Sequence, residues 1–234
     1  ERLLIDSLNE RLKDSRVDER EVADSGTGVI NAIVNEIDRW PFDTDDASVR
    51  RVASRLFEAI LRVRAERLSR TAGPETPESI SNLMAQAAVR PRGTVLDPAC
   101  GAGSTLIAAS AAGAETIEGW DISVKALARA SMRFELAQIE ASFHQVDAML
   151  ESELRAPVDS VLVHPPFGQK PPEFNLPPDL EAYGISPKSR ADLLWIQLAL
   201  SMLKAGGRAA ALLPAGALFR SGAEASIRRF LVDA

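Results

Sequence analysis

The sequence predicts an α/β protein in which a doubly wound, mainly parallel sheet follows a small helical domain. In residues 73–234, short apolar runs alternate with helical stretches, an order typical of βαβ units with helices on both faces of the sheet. Residues 1–72 contain almost no strand-like runs and are rich in Arg, Asp and Glu. We therefore predict two domains, a helical domain over 1–72 and an α/β domain over 73–234.

The elements of the α/β domain follow from its periodicity. Strands are predicted over 93–96, 116–120, 142–146, 160–163 and 208–213. Helices are predicted over 103–111, 123–139, 148–154 and 189–205. The last helix is apolar nearly all round, and Gly206-Gly207 is a helix-stop signal. Residues 168–188 contain five prolines and no periodicity, so we predict a long loop there.

The N-terminal domain is predicted from two apolar patterns with helical spacing, in residues 29–37 and 52–63, separated by a turn-rich break at 40–46. Seven arginines lie between residues 48 and 70. They form either a phosphate-facing surface or an ordinary solvated helix face, and the pattern alone leaves both possibilities open.

The composition narrows the possible classes of protein. The only cysteine is Cys100, which excludes an intramolecular disulfide framework, and with two histidines the chain cannot build a zinc site from His and Cys alone. No apolar run is long enough to span a bilayer, and no signal-peptide pattern is visible. We expect a cytoplasmic protein that holds no metal and does not enter a membrane. Because the net charge is −6, binding to nucleic acid would need a local positive surface or a partner.

A glycine turn follows the first predicted strand, in Asp97-Pro98-Ala99-Cys100-Gly101-Ala102-Gly103. Glycines let a ligand approach the backbone, and the next helix presents free N–H groups at its start. The dinucleotide fingerprint is absent, because Leu106 stands where its third glycine would be. An acid before the turn favours a ligand with a positive group over a pyrophosphate.

Two further strands also end in acids. Asp121 follows the second strand, where a carboxylate can accept both hydroxyls of a ribose, with Trp120 and Ile122 placed to flank an adenine ring. An equally good interpretation makes Asp121 the cap of the following helix. Asp147 follows the third strand and can hydrogen-bond an exocyclic amine.

The fourth strand runs into His164-Pro165-Pro166-Phe167. The two prolines fix the backbone rigidly and direct a carbonyl of His164 or Pro165 into the crevice at the strand ends. Phe167 offers a flat face on which a base can stack.

Together these segments resemble the adenine-specific DNA methyltransferases that use S-adenosylmethionine, in particular the modification subunit of type I restriction systems. The resemblance runs from about Thr76 to Leu231 and depends on several motifs in a fixed order. A Thr-Pro element at Thr76 precedes the glycine turn, which precedes the Pro-Pro-Phe turn. Residues 212–220 (Leu-Leu-Pro-Ala-Gly-Ala-Leu-Phe-Arg), followed by Ile227-Arg228, are also similar to that family.

The resemblance implies a Rossmann-like methyltransferase fold, S-adenosylmethionine as cofactor, and methyl transfer to the N6 amine of adenine in DNA. The cofactor would lie with its methionine amino group near Asp97, its ribose at Asp121 and its adenine near Asp147. The implied cofactor-binding residues are Thr76, Asp97, Pro98, Ala99, Cys100, Gly101, Gly103, Trp120, Asp121, Ile122 and Asp147. The implied catalytic residues are His164, Pro165, Pro166 and Phe167.

One residue departs from the family pattern. The family has Asn-Pro-Pro-Phe or Asp-Pro-Pro-Tyr, whose first side chain accepts a hydrogen bond from the target amine, and this chain has His164 there. A neutral imidazole accepts through one nitrogen, and a protonated one accepts nothing. The alternatives are an enzyme that uses neutral His164, a degenerate fold that binds cofactor or partner without turnover, and a methyltransferase acting on RNA, protein or a small molecule.

The resemblance also implies a partner. The family fold has seven strands, and we find five, so we expect the last two after Ala234 and a chain that is a fragment. No segment resembles a target-recognition domain. We therefore expect a separate specificity subunit that docks partly through residues 1–72.

Overall fold

A computed structural model of the chain describes residues 75–150, 157–168 and 192–233, together with positions 54, 55, 57, 58 and 61. The chain divides into two units, Glu1–Pro74 and Glu75–Ala234. In the first unit the five described positions are helical, and Phe57 and Leu61 are buried. The predicted domain over 1–72 and its arginine-rich stretch otherwise lie outside the described residues, so both stay predictions.

The second unit is built on a parallel sheet, as the sequence predicts. Its strands in the described residues are β1 (Thr94–Asp97), β2 (Thr116–Asp121), β3 (Ser142–Gln145), β4 (Val158–Val163) and β5 (Leu203–Ala211). Their order in the sheet is β3-β2-β1-β4-β5, and every neighbouring pair is parallel. The order reverses between β1 and β4, and the carboxyl ends of parallel strands at such a point open onto a crevice.

Helices cover both faces of this sheet. They are α1 (Glu78–Ala88), α2 (Ser104–Ala111), α3 (Val124–Ala137), α4 (Asp192–Ser201) and α5 (Ala223–Asp233), with a 3₁₀ helix over Ala215–Leu218. One apolar cluster joins α1, α2 and α3 to strand residues such as Val95 and Leu162. A second joins α4 to Leu96, Val161 and Val163. Because successive strand residues point to opposite faces, the two clusters lie on opposite sides of the sheet, which confirms the doubly wound arrangement.

The prediction was wrong at the boundary between α4 and β5. The predicted helix over 189–205 ends at Ser201 in the structure, and β5 begins at Leu203, which pairs with Val158. Gly206, with a φ of 74°, lies in an irregularity of β5 after which Arg208 pairs with Ser160. The glycine pair therefore lies within a strand and does not stop a helix. The helix ends earlier, at Ser201, because Leu203 pairs with Val158 in the sheet, a long-range contact that a local glycine signal does not reveal.

Other segments also differ from the prediction or lie outside the described residues. Residues 148–150 form a turn, and the rest of the helix predicted over 148–154 lies outside the described residues, as does nearly all of the loop predicted over 168–188. Helices α1 and α5 and the 3₁₀ helix were not predicted. Within the described residues, no helix is long and apolar enough to cross a membrane.

Candidate functional site

The glycine turn between β1 and α2 is organised by the Asp97 carboxylate. This side chain is 1% exposed and accepts hydrogen bonds from the Ala99 amide, at 2.9 Å, and from the Thr105 hydroxyl. Burial raises the pKa of Asp97 to about 7, although the two hydrogen bonds oppose that rise. Gly101 and Gly103 have φ values of 55° and 80°, a region that favours glycine. Asp97 therefore fixes the conformation of the loop that precedes α2.

Asp121 connects the end of β2 to the same loop. One carboxylate oxygen accepts the Gly101 amide at 2.9 Å, and the other accepts the Ser123 amide at 2.7 Å. The cap of α3 is the Ser123 hydroxyl, which accepts from the Ala126 amide, so the helix-cap interpretation of Asp121 does not hold. Each carboxylate oxygen has a further lone pair, which leaves Asp121 able to accept from a ligand.

The loop lies directly against β2 because residue 119 is a glycine. A Cβ at this position would lie 2.9 Å from the Cys100 sulfur, the Leu106 side chain and the Phe143 ring. The Cys100 amide donates to the Trp120 carbonyl at 2.8 Å, which fixes the contact. Gly119 is a site residue that the sequence analysis missed, since its role depends on what packs above it.

Arg133 lies beneath the loop on α3 and was also missed. Its guanidinium donates to the Ala102 carbonyl at 2.8 Å and to the Ser104 hydroxyl at 3.0 Å, and it forms an ion pair with Glu75 at 3.9 Å. The side chain is almost fully buried. Nothing in the sequence distinguishes it from other helix arginines.

A cavity of about 320 Å³ opens at the carboxyl ends of the strands, a volume within the range of small-molecule sites. Six predicted residues line it: Pro98, Ala99, Asp121, Ile122, Asp147 and Pro166. Four further residues of the lining were not predicted: Val146, Ala148, Met149 and Trp195. Asp147 accepts the Met149 amide at 3.0 Å and is otherwise open to solvent.

The remaining predicted residues do not line the cavity. Asp97, Cys100, Gly101 and Gly103 form the loop beside it, and Trp120 is 2% exposed. The Trp120 indole N–H donates to Glu118 at 2.6 Å, and its ring packs in the α4 cluster. Its predicted place beside a cofactor ring remains a prediction.

The His-Pro-Pro-Phe turn follows β4 directly, and its Pro166 lines the cavity. His164 is half-buried, Pro165 is buried, and Phe167 is 49% exposed, with its ring centroid 5.3 Å from that of His164. Nδ1 of His164 lies 2.7 Å from the Thr76 hydroxyl oxygen, just before α1. Burial lowers the pKa of His164 below its ordinary value, so the ring is neutral at neutral pH.

A buried carboxylate anchors the end of this turn. The Gly168 amide donates to Asp192 at 3.1 Å, and Asp192 forms an ion pair with Arg220 at 2.9 Å. The hydrogen bond to Asp192 raises the pKa of Arg220. Neither residue was predicted as part of the site, although Arg220 ends one of the family-like segments. Among the described residues no cluster of His, Cys, Asp or Glu is suited to hold a metal ion.

Comparison with known proteins identifies the same kind of relative by sequence and by fold. The chain is 27% identical to a type I restriction enzyme methylase subunit of Mycoplasma pneumoniae, over 88% of this chain and 43% of the relative. It is 30% identical to such a subunit of Methanocaldococcus jannaschii, over 68% and 31%.

A solved methyltransferase subunit of a type I restriction-modification system from Streptococcus thermophilus superposes with a TM-score of 0.66 at 25% identity. The match covers 77% of this chain and 43% of that one. This chain thus spans less than half the length of each of the three proteins. The model of the N-6 DNA methylase family matches residues 48–234, and the chain therefore belongs to that family.

Proposed function

We propose that this chain binds S-adenosylmethionine and takes part in methyl transfer to the N6 amine of adenine in DNA, as the modification component of a type I restriction system. The observation that carries the proposal is that Pro166 of the His-Pro-Pro-Phe turn lines the same cavity as Asp121 and Asp147. A ligand in that cavity would lie beside the residues that are predicted to hold the target base.

The residues around the cavity fit the proposed cofactor. Ile122, Val146 and Pro166 give apolar walls that suit a flat purine ring, and the Asp121 and Asp147 carboxylates can accept hydrogen bonds from its hydroxyls and amine. Burial raises the pKa of the nearby Asp97 carboxyl to about 7, and an ammonium group placed beside it would lower that pKa and favour the charged carboxylate. Nothing in this lining needs a metal ion.

Bound S-adenosylmethionine supplies an electrophilic methyl group, and the chain's own residues would prepare the amine that accepts it. Neutral His164 can accept a hydrogen bond from one amine N–H, which increases the electron density on that nitrogen. After transfer the nitrogen loses one proton, which can pass to the ring nitrogen or to water. The half-exposed Phe167 can stack on a base that has been turned out of the duplex.

The charge of the chain supports a partner in DNA recognition. A net charge of −6 disfavours tight binding to a polyanion by the chain alone. We propose that a separate specificity subunit supplies most of the DNA contact, that residues 1–72 form part of its docking surface, and that the complex works in the cytoplasm.

The proposal can be tested by two measurements on the same preparation. Titration calorimetry with S-adenosylmethionine should give saturable binding. A tritiated-methyl assay at low ionic strength with excess unmethylated genomic DNA, where the chain alone still contacts DNA, should incorporate label into N6-methyladenine. The same DNA already methylated at N6 of adenine is the control and should take up no label. Binding without transfer would favour the degenerate alternative, and absence of binding would overturn the proposal.

A further inference from the structure

The contact between Thr76 and His164 joins two segments that are 88 residues apart in the chain. Thr76 precedes Pro77 at the start of α1, and His164 follows the last residue of β4. Both residues are half-buried, and the hydroxyl oxygen lies 2.7 Å from Nδ1, a hydrogen-bond distance. Because one ring nitrogen is held at this distance, the protonation of that nitrogen decides what the other nitrogen can do.

The backbone next to His164 does not determine which ring nitrogen carries the proton. The two residues after His164 are prolines, which carry no N–H, so neither can donate a hydrogen bond back to Nδ1. Among the hydrogen bonds of the described residues, the Thr76 hydroxyl supplies the partner of Nδ1. A hydroxyl can donate or accept, and the two possibilities give opposite tautomers.

The two tautomers differ in whether Nε2 is a hydrogen-bond donor or an acceptor. If the hydroxyl donates to Nδ1, the proton of the neutral ring is on Nε2, which is then a donor and cannot accept from an amine. If the hydroxyl accepts from Nδ1–H, the lone pair is on Nε2, which becomes a hydrogen-bond acceptor. The second tautomer alone gives His164 the role that Asn or Asp plays in the family pattern.

We propose that Thr76 is a positioning residue whose hydroxyl accepts the Nδ1–H of His164 and so keeps Nε2 as the acceptor for the target amine. The choice between the two tautomers rests on the proposed function, whereas the contact itself does not. In this role Thr76 acts through His164 and touches neither the base nor the transferred methyl group.

The tautomer can be measured directly by ¹⁵N NMR of the cofactor-free chain at neutral pH. The chemical shifts of the two ring nitrogens, and the couplings of these nitrogens to the protons on the ring carbons, show which nitrogen carries the proton. The chain has two histidines, so the variant His164→Asn assigns the signals, and His144 serves as the internal control in every spectrum. We expect Nδ1–H for His164 in the wild type. We expect loss of that preference in Thr76→Val, which removes the hydroxyl at nearly constant shape, and its retention in Thr76→Ser.

A matched control is Thr116→Val, which removes a hydroxyl from an exposed position at the start of β2 and should leave the His164 signals unchanged. An Nε2–H tautomer in the wild type would overturn the proposal, even if Thr76→Val failed to fold. The same holds if a folded Thr76→Val kept the wild-type tautomer. Because this measurement uses no cofactor and no DNA, a chain with the expected tautomer and no methyl transfer would refute the proposed function and leave the pair intact.

Discussion

The backbone amide of Gly168 donates a hydrogen bond to the Asp192 carboxylate at 3.1 Å. This contact joins the residue after Phe167 to the first residue of α4. Asp192 is 1% exposed and also holds the Arg220 guanidinium, which in turn contacts Glu224. The end of the Pro-Pro-Phe turn is thus fixed by a buried carboxylate, and an arginine balances the charge of that carboxylate.

Replacing Asp192 should loosen this turn. Asp192→Ala removes a charged acceptor from the Gly168 amide, and we expect a loss of about 1.5–3 kcal/mol in the free energy of unfolding, measured by chemical denaturation. Asp192→Asn keeps an acceptor oxygen for the amide and should lose less. Equal losses in the two variants would show that the hydrogen bond to Gly168 contributes little.

Asp97 should make the folded state less stable as pH rises. The folded carboxyl has its pKa raised to about 7, against 3.8 for the free group, so the folded state binds more protons between these values. The contribution of Asp97 to stability therefore falls as pH rises from about 4 to about 7. Asp97→Asn cannot ionise, and its stability relative to wild type should improve as pH rises through that window. Melting temperatures measured across the window would contradict this if the difference stayed constant.

The Asp121 carboxylate should contribute to cofactor affinity. Asp121→Ala removes the acceptor that we assign to the ribose hydroxyls, and we expect a loss of about 1.5–3 kcal/mol in binding free energy by calorimetry with S-adenosylmethionine. The variant also frees the Gly101 amide, so Asp121→Asn, which retains one acceptor oxygen, should lose less. Unchanged affinity in Asp121→Ala would refute the ribose assignment.

Methyl transfer should fall in acid because His164 must be neutral to accept a hydrogen bond. Burial lowers the pKa of His164 from 6.5, so the fall should come below pH 6.5 and not at it. His164→Asn should keep or raise the rate and should lose this acid limb. Rates of tritium incorporation against pH would test both. A fully active wild type with an inactive Asn variant would mean that histidine has another role, such as base catalysis.

DNA binding by the chain alone should be weak and should weaken further as salt is added. The reason is the net charge of −6, which leaves only local positive patches for phosphate contact. A salt titration of binding to a genomic DNA fragment should show affinity disappearing near physiological ionic strength. Tight, sequence-specific binding without a partner would contradict the need for a specificity subunit.

The central strands β1, β2 and β4 were predictable because they are short runs that contain the buried side chains of the sheet. β1 and β2 each end at an aspartate, and the structure extends the predicted strands by one residue to include it. The order of the motifs also predicted which strand ends meet, since parallel strands bring their carboxyl ends to one edge. The boundary at Ser201 was missed because Gly206-Gly207 was interpreted as a helix stop, whereas the pairing of Leu203 with Val158 places both glycines in β5.

The contacts within the site were less predictable, because they join residues with no shared pattern. Thr76 was assigned to the cofactor from its place in a motif, and only the fold brings its hydroxyl to His164. Trp195 lies on a helix that is apolar nearly all round, so periodicity cannot say which face lines the cavity. Asp192 begins the same helix, and its burial becomes intelligible only with Arg220 beside it.

The cysteine within the glycine turn can report whether the loop opens. Cys100 is 6% exposed, and burial raises the pKa of its thiol, so alkylating reagents that attack thiolates should react slowly while the loop is closed over β2. Since the chain has no other cysteine, the rate of modification reads out the opening of this one loop. A ligand that rests on the loop should slow that rate, so cofactor occupancy can be followed by mass spectrometry on the unmodified sequence, without any introduced label.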